Sequence, residues 1–175
     1  MEITLALLKP HVVRHSIVYQ SLKSLIKENF TILHSKEVVI TKHLSELFYP
    51  EHRGKFFYNR LVTFMASGPC YALILQSEDC IAKWRACMGP TKVYKTVHTH
   101  PDSIRGIYGL SDTRNVCHGS DSEESAMREI SILFPELNKD ILTTNSNYNN
   151  NNNNNNSIKN ITCFLCYSKH HYYHQ

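Results

Sequence analysis

The chain has 175 residues, with 19 Lys and Arg against 15 Asp and Glu and a formal charge of +4. That length supports one domain of ordinary size with its own core. The small basic excess suits an anionic ligand but builds no nucleic-acid surface. No apolar run is long enough to cross a bilayer, so neither nucleic acid nor membrane is an expected partner.

Residues 3–8, Ile-Thr-Leu-Ala-Leu-Leu, are almost continuously apolar and predict a buried strand, which Lys9-Pro10 stops while carrying Lys9 into a loop. A chain that starts in this strand has no room for a secretory leader or an arginine-rich presequence. A reducing, cytoplasmic setting is therefore expected, with mitochondria as the alternative. Val18, Leu22, Leu25 and Ile26 recur at helical spacing and predict an amphipathic helix over 16–29. Residues 30–40 alternate and are β-branched, predicting a second strand. Short helical pieces follow over 42–49, then a polar turn at 51–55 and a helix over 57–66 that Ser67-Gly68-Pro69 ends.

A third strand is predicted over 70–75 and a third helix over 77–88, closed by Gly89-Pro90. Residues 91–102 show no clean period and read as a long, functional type of loop. Residues 103–108 are short and mixed, 114–117 predict a fourth strand, and 123–134 a closing helix cut by Pro135. Strands and helices interleave, which argues for an α/β layer structure. Cys70, Cys80, Cys87 and Cys117 are scattered through these segments, as buried free thiols are, and no disulfide framework is expected.

After about residue 138 the composition changes to an asparagine-rich stretch with an unbroken tract over 149–156. Such a tract supplies no core, so the chain divides into a domain over 1–138 and an extension over 139–175 that is expected to be disordered. The extension ends in Cys163-x-x-Cys166 with His170, His171 and His174. A zinc site is one reading, but the spacing lacks a second well-placed ligand pair, and a plain C-terminal extension is the other.

The chemistry centres on Asn115-Val-Cys-His118-Gly-Ser120-Asp121-Ser122. Ser120 or Asp121, followed by Glu123 and Glu124, reads as an N-cap with acidic residues in the first turn. His118 is then expected just before a helix N-terminus, where a cationic ring is disfavoured and a neutral, nucleophilic one is favoured. Lys9, Arg85 and Arg105 each end an apolar or helical segment and are the candidate phosphate cations. Tyr49 and Phe57 flank the polar turn and are candidates for an aromatic wall. There is no P-loop motif and no Gly-x-Gly-x-x-Gly after a strand, so P-loop, protein-kinase and Rossmann readings have no support.

The stretch Asn115-x-x-His118-Gly119-Ser120-Asp121-Ser122 resembles the active-site signature of nucleoside diphosphate kinases, and the resemblance extends over about residues 4–136. The Asp-Ser-Ile-Arg-Gly run and Gly-Leu-Ser-Asp-Thr-Arg-Asn after it look most like the divergent sixth subgroup. The resemblance implies a ferredoxin-like αβ sandwich, with a four-stranded antiparallel sheet and covering helices. It implies ping-pong transfer of a γ-phosphoryl group, mainly from ATP, to nucleoside diphosphates through a phosphohistidine at His118. Ser120 and Glu129 would orient that histidine. Lys9, Arg85 and Arg105 would face the phosphates, Thr91 would contact them, Phe57 and Tyr49 would flank the base, and Asn115 would bond the ribose. Mg²⁺ would arrive with the nucleotide, no protein ligand holding it directly and Asp121 reaching it at most through water.

Several positions depart from the pattern: the loop over 92–102 is longer, Asp112 stands where a small apolar residue often lines the base, and His11 replaces an aspartate. A homo-oligomer is compatible with the resemblance, but the loop and tail differ where family members meet their neighbours. Two other functions share these residues: a nucleotide-binding or scaffolding module of low activity, and a phosphohistidine donor to other proteins.

Overall fold

A computed structural model of the chain describes residues 1–137. The cysteine and histidine cluster after residue 160 and the asparagine tract lie outside these described residues. The elements run β1 (Glu2–Leu8), α1 (Pro10–Val13), α2 (Ser16–Asn29), β2 (Thr31–Val39), α3 (Lys42–Phe48), α4 (Tyr58–Met65), β3 (Pro69–Ser77), α5 (Cys80–Met88), α6 (Val93–Thr99), α7 (Ile104–Tyr108), β4 (Cys117–Gly119) and α8 (Glu123–Leu133). A short 3-10 turn, Pro50–His52, lies between α3 and α4.

The four strands form one sheet in the order β2-β3-β1-β4, and every paired neighbour is antiparallel. With α2 joining β1 to β2 and α5 preceding β4, this is the ferredoxin-like order expected from the family resemblance. β1 is central and, past Glu2, wholly buried. It is buried on both faces, which explains why its sequence is a continuous apolar run and not an alternating one. Ala6 and Leu8 pack with Leu22 and Ile26 of α2 and Trp84 of α5. Ile3, Leu5 and Leu7 point the other way, to Phe48, Leu61, Met65 and Ile130 of α3, α4 and α8.

The segment expected to be a long loop contains helix α6, and the mixed segment after it is helix α7. Both are too short to display a period in sequence. Side chains hold them instead: Ser103 caps α7 by accepting from Gly106 N–H at 3.1 Å, and Thr96 Oγ1 bonds back to the Pro90 and Lys92 carbonyls. The fourth strand is also displaced. Pairing with β1 runs Leu8↔Cys117, Leu7↔His118 and Ala6↔Gly119, not over 114–117. The Arg114 carbonyl accepts from Leu110 N–H, and the Asn115 carbonyl accepts from Cys117 N–H at 3.0 Å. That second bond closes a γ-turn around Val116, whose φ of 77° places a β-branched residue in the left-handed region.

Cys70, Cys80, Cys87 and Cys117 are all buried, as expected. Among the described residues, no helix is long and apolar enough to cross a membrane.

Candidate active site

Strand register aims His118. Opposed residues on paired strands share a face, so His118 points to the side of its partner Leu7, toward α3, α4 and α8. There its ring meets Phe48 at 4.9 Å and Tyr49 at 5.8 Å, both edge-on. Gly119 faces the opposite side, where a Cβ would stand 2.4 Å from Trp84 Cδ1. Glycine there lets the indole approach and donate its N–H to the His118 carbonyl at 3.2 Å.

The helix-start argument for His118 does not hold. α8 begins at Glu123, and its N-cap is Ser122, not Ser120 or Asp121; Ser122 Oγ accepts from Ser125 N–H at 3.1 Å. His118 lies within β4, four residues earlier, and a side chain orients it. Its Nε2 lies 2.9 Å from Glu129 Oε2, and Ser120 Oγ donates to the same oxygen at 2.7 Å. Leu5 N–H in turn donates to Ser120 Oγ at 3.3 Å. Glu129 is only 3% exposed, so its charge needs these donors. Its other oxygen, Oε1, faces Arg128 Nη2 at 3.6 Å. With an ionised carboxylate accepting, Nε2 carries the ring proton and Nδ1 keeps the lone pair.

A cavity of about 690 Å³ gathers the expected residues: Lys9, Tyr49, Phe57, Arg85, Thr91, Arg105, Asn115, His118, Asp121 and Glu129 all line it. That is the size range of small-molecule sites. Ser120 is the exception, wholly buried behind Glu129. Lys9 is 4% exposed, and its Nζ donates to the Thr113 carbonyl at 3.1 Å. Burial first, then repulsion from Arg105, lowers its pKa from 10.5 to about 7. Arg105 is 7% exposed and binds three carbonyls: Asn115 at 3.2 Å, Gly89 at 2.8 Å and Cys117 at 2.9 Å. Burial lowers its pKa too, yet it stays a cation.

Arg85 and Thr91 stand exposed on the lining. Asn115 Oδ1 and the Tyr49 hydroxyl are buried without a hydrogen-bond partner, and both border the cavity. A buried polar atom left unpaired is costly, and a ligand donor or acceptor arriving there relieves it. Burial raises the Tyr49 pKa, so it remains a neutral phenol. Phe57 is half-buried, with the His52 ring edge-on at 5.3 Å. Asp121 is exposed, and a hydrogen bond from Ser125 holds its carboxyl below the usual range. Among the described residues no group of three or more His, Cys, Asp or Glu side chains gathers to hold a metal ion.

Sequence reading missed three lining groups. His52 stacks on Tyr49, with ring centroids 5.9 Å apart and 12° between planes. Lys92 pairs with Asp112 at 3.2 Å, and Asp112 Oδ1 also accepts from Val93 N–H, so the acid pins the start of α6 to the cavity rim. Arg128 reaches Glu129 and the carbonyls of Leu47 and Phe48. Adjacent numbering hid Arg128, because neighbours on a helix do not normally face one partner.

A family model described as nucleoside diphosphate kinase matches residues 2–139. The chain is 52% identical over 136 residues to "Nucleoside diphosphate kinase 6" of Danio rerio, covering 78% of each chain. It is 49% identical over 140 residues to the Homo sapiens protein of the same name, covering 79% of this chain and 75% of that one. In structure it superposes on the Aquifex aeolicus nucleoside diphosphate kinase with a TM-score of 0.71 at 37% identity, over 76% of this chain and 94% of the other.

Proposed function

The chain belongs to the nucleoside diphosphate kinase family, and on that premise we propose that it moves the γ-phosphoryl group of a nucleoside triphosphate, mainly ATP, to a nucleoside diphosphate through His118. One observation carries the reading. Nε2 of His118 is held by Glu129 at 2.9 Å, so the free lone pair belongs to Nδ1, in a cavity whose cations include Lys9, Arg85 and Arg105. In the first half-reaction Nδ1 bonds to the γ-phosphorus while the bond to the β,γ-bridging oxygen breaks, and the nucleoside diphosphate leaves. In the second, a terminal oxygen of another diphosphate bonds to that phosphorus and the N–P bond breaks. The Nε2 proton stays in place throughout, and the Glu129 carboxylate stabilises the positive charge that develops on the ring.

Lys9, Arg85 and Arg105 hold charge on the transferring group, and Thr91 donates to a phosphate oxygen. Phe57 stacks on the base with Tyr49 behind it, and Asn115 meets the sugar hydroxyls with its unpaired Oδ1. Mg²⁺ enters as part of the nucleotide substrate, held by phosphate oxygens. Asp121, on the lining, suits a water on that ion. All of this chemistry falls within residues 1–138.

The test is to incubate the protein with γ-labelled ATP, isolate it, and chase with a second diphosphate. We expect label on His118 that passes quantitatively to the added diphosphate. Nucleotide binding without label, or labelling no greater than in His118→Ala, sinks the reading and selects the non-catalytic module.

A further inference from the structure

A second cavity beside α4 is separate from the one that holds His118. It measures about 780 Å³ and is lined by His11 of α1 and Arg14 just after it, Arg60, Phe64 and Ser67 on and after α4, and Arg114 from the turn before β4. The phosphotransfer reading uses none of these residues. No carboxylate lines it, and among the described residues none of its three guanidiniums lies within ion-pair distance of one. Two of the guanidiniums are nonetheless held in place. Arg14 donates from Nη2 to the Ser67 carbonyl, and Gly68 makes room for it, since a Cβ there would lie 2.5 Å from that nitrogen. Arg114 rests over the Phe64 ring at 5.9 Å, and His11 lies against the same ring at 5.5 Å.

His11 supplies the independent sign of a ligand. Both its ring nitrogens are buried, and neither has a hydrogen-bond partner. A histidine that serves only packing finds a carbonyl, carboxylate or hydroxyl for at least one of them. We propose that this cavity is a second, anion-binding site, one that takes a small phosphomonoester carrying a flat apolar group. Arginine forks match phosphate oxygens two at a time. The Phe64 and His11 rings offer the flat wall, and the volume suits a small molecule and not a protein segment. Arg60 lines both cavities, so an anion here competes for a guanidinium that also borders the nucleotide pocket.

Proton linkage follows from the same geometry. Burial, then Lys9 and Arg114, lowers the His11 pKa from 6.5 to about 4. The charged groups around it are Lys9 just before α1, Arg14 just after it, Arg60 on α4 and Arg114, all of them basic. A phosphate anion among them reverses the local sign and raises the His11 pKa, so the bound complex holds a proton on the ring that the free protein lacks at the same pH.

The experiment uses the full chain with its nucleotide pocket saturated by ADP and Mg²⁺, so that the site proposed for phosphotransfer cannot supply the signal. Phenyl phosphate and inorganic phosphate are titrated in, with heat and the His11 ring resonances as readouts. We expect phenyl phosphate to bind with a dissociation constant of about a millimolar or tighter, ahead of inorganic phosphate, and His11 to titrate at a higher pH when it is bound. The Arg14→Ala/Arg114→Ala variant should bind at least about tenfold more weakly while unfolding at the wild-type temperature. His11→Asp, which puts a carboxylate on the cavity wall, should lose binding as well. Equal affinity in wild type and both variants, or no movement of His11 at saturating probe, overturns the proposal. Equal affinity for the two probes overturns the flat-wall part of it.

Discussion

Lys9 should take up a proton when nucleotide binds. Its ammonium is 4% exposed, donates to one carbonyl and stands near Arg105, which together bring its pKa down to about 7. Phosphate oxygens supply the opposite charge that the free pocket lacks, and return the group toward its ordinary 10.5. Above the free-state value the empty protein holds a neutral amine and the complex an ammonium, so binding draws in a proton. At about pH 8 roughly one-tenth of the free Lys9 is charged, so uptake should be about nine-tenths of a proton, falling to about one-tenth at pH 6. Affinity should drop about tenfold for each pH unit above 7, since one unit is about 1.4 kcal/mol. The assay is calorimetry of ADP with Mg²⁺ at about pH 8, in buffers of different ionisation enthalpy, for wild type and Lys9→Met. The same proton count in both proteins, or an affinity that does not change between pH 7 and 9, would refute the reasoning. Stability carries the matching sign. The cost of burying charged Lys9 is fully present below pH 7 and is relieved as pH rises toward 10.5, because the unfolded chain binds the extra proton throughout that window.

Three substitutions probe the supports of His118. Glu129→Gln removes the charge behind Nε2 and lets the wrong tautomer form, so turnover should fall by about two to four orders of magnitude with little change in KM; a loss of only a few-fold would dismiss the orienting role. Arg128→Ala strips the cation from Glu129 Oε1 and should cost about tenfold in kcat, with most of it recovered in Arg128→Lys. If alanine and lysine behave alike, Arg128 only clasps the Leu47 and Phe48 carbonyls. Gly119→Ala drives a Cβ to 2.4 Å from Trp84 Cδ1 and should cost about 1–3 kcal/mol of stability, read as a lower Tm; an unchanged Tm would mean the indole moves freely.

The elements legible in sequence were those whose burial leaves a period. β1 showed as an apolar run and α2 as a stripe, because each packs over its whole length. α6 and α7 were not legible, since helices of seven and five residues complete too few turns for a stripe. The position of β4 was lost because Val116 sits in a positive-φ turn that residue type does not announce. Of the site, the signature around His118 showed which residues gather, and ten of the eleven named lie on one cavity. The resemblance named Glu129 and Ser120 as the groups that orient His118, and they lie at hydrogen-bond distance. The helix start expected behind His118 is absent, and the Arg128 contact on Glu129 is a long-range arrangement that spacing does not encode.

The cations of the site share a design that only the bonds reveal. The γ-turn at Val116 costs about 1–3 kcal/mol in strained backbone, and it turns successive carbonyls inward. Arg105 takes those of Asn115 and Cys117, and Lys9 N–H takes that of Val116 at 3.0 Å. Bonds from a charged donor are worth more than neutral ones and offset the strain. Carbonyls fix a cation in place without cancelling its charge, which a carboxylate partner would do. Lys9 and Arg105 are therefore rigid and, among the described residues, paired with no carboxylate; beyond burial, repulsion from Arg105 lowers the Lys9 pKa, and repulsion from Arg85 lowers that of Arg105. The buried carboxylate at this site, Glu129, is turned away to His118, Ser120 and Arg128. Positive charge is thus kept where phosphate has to arrive, and negative charge where the imidazole has to be held.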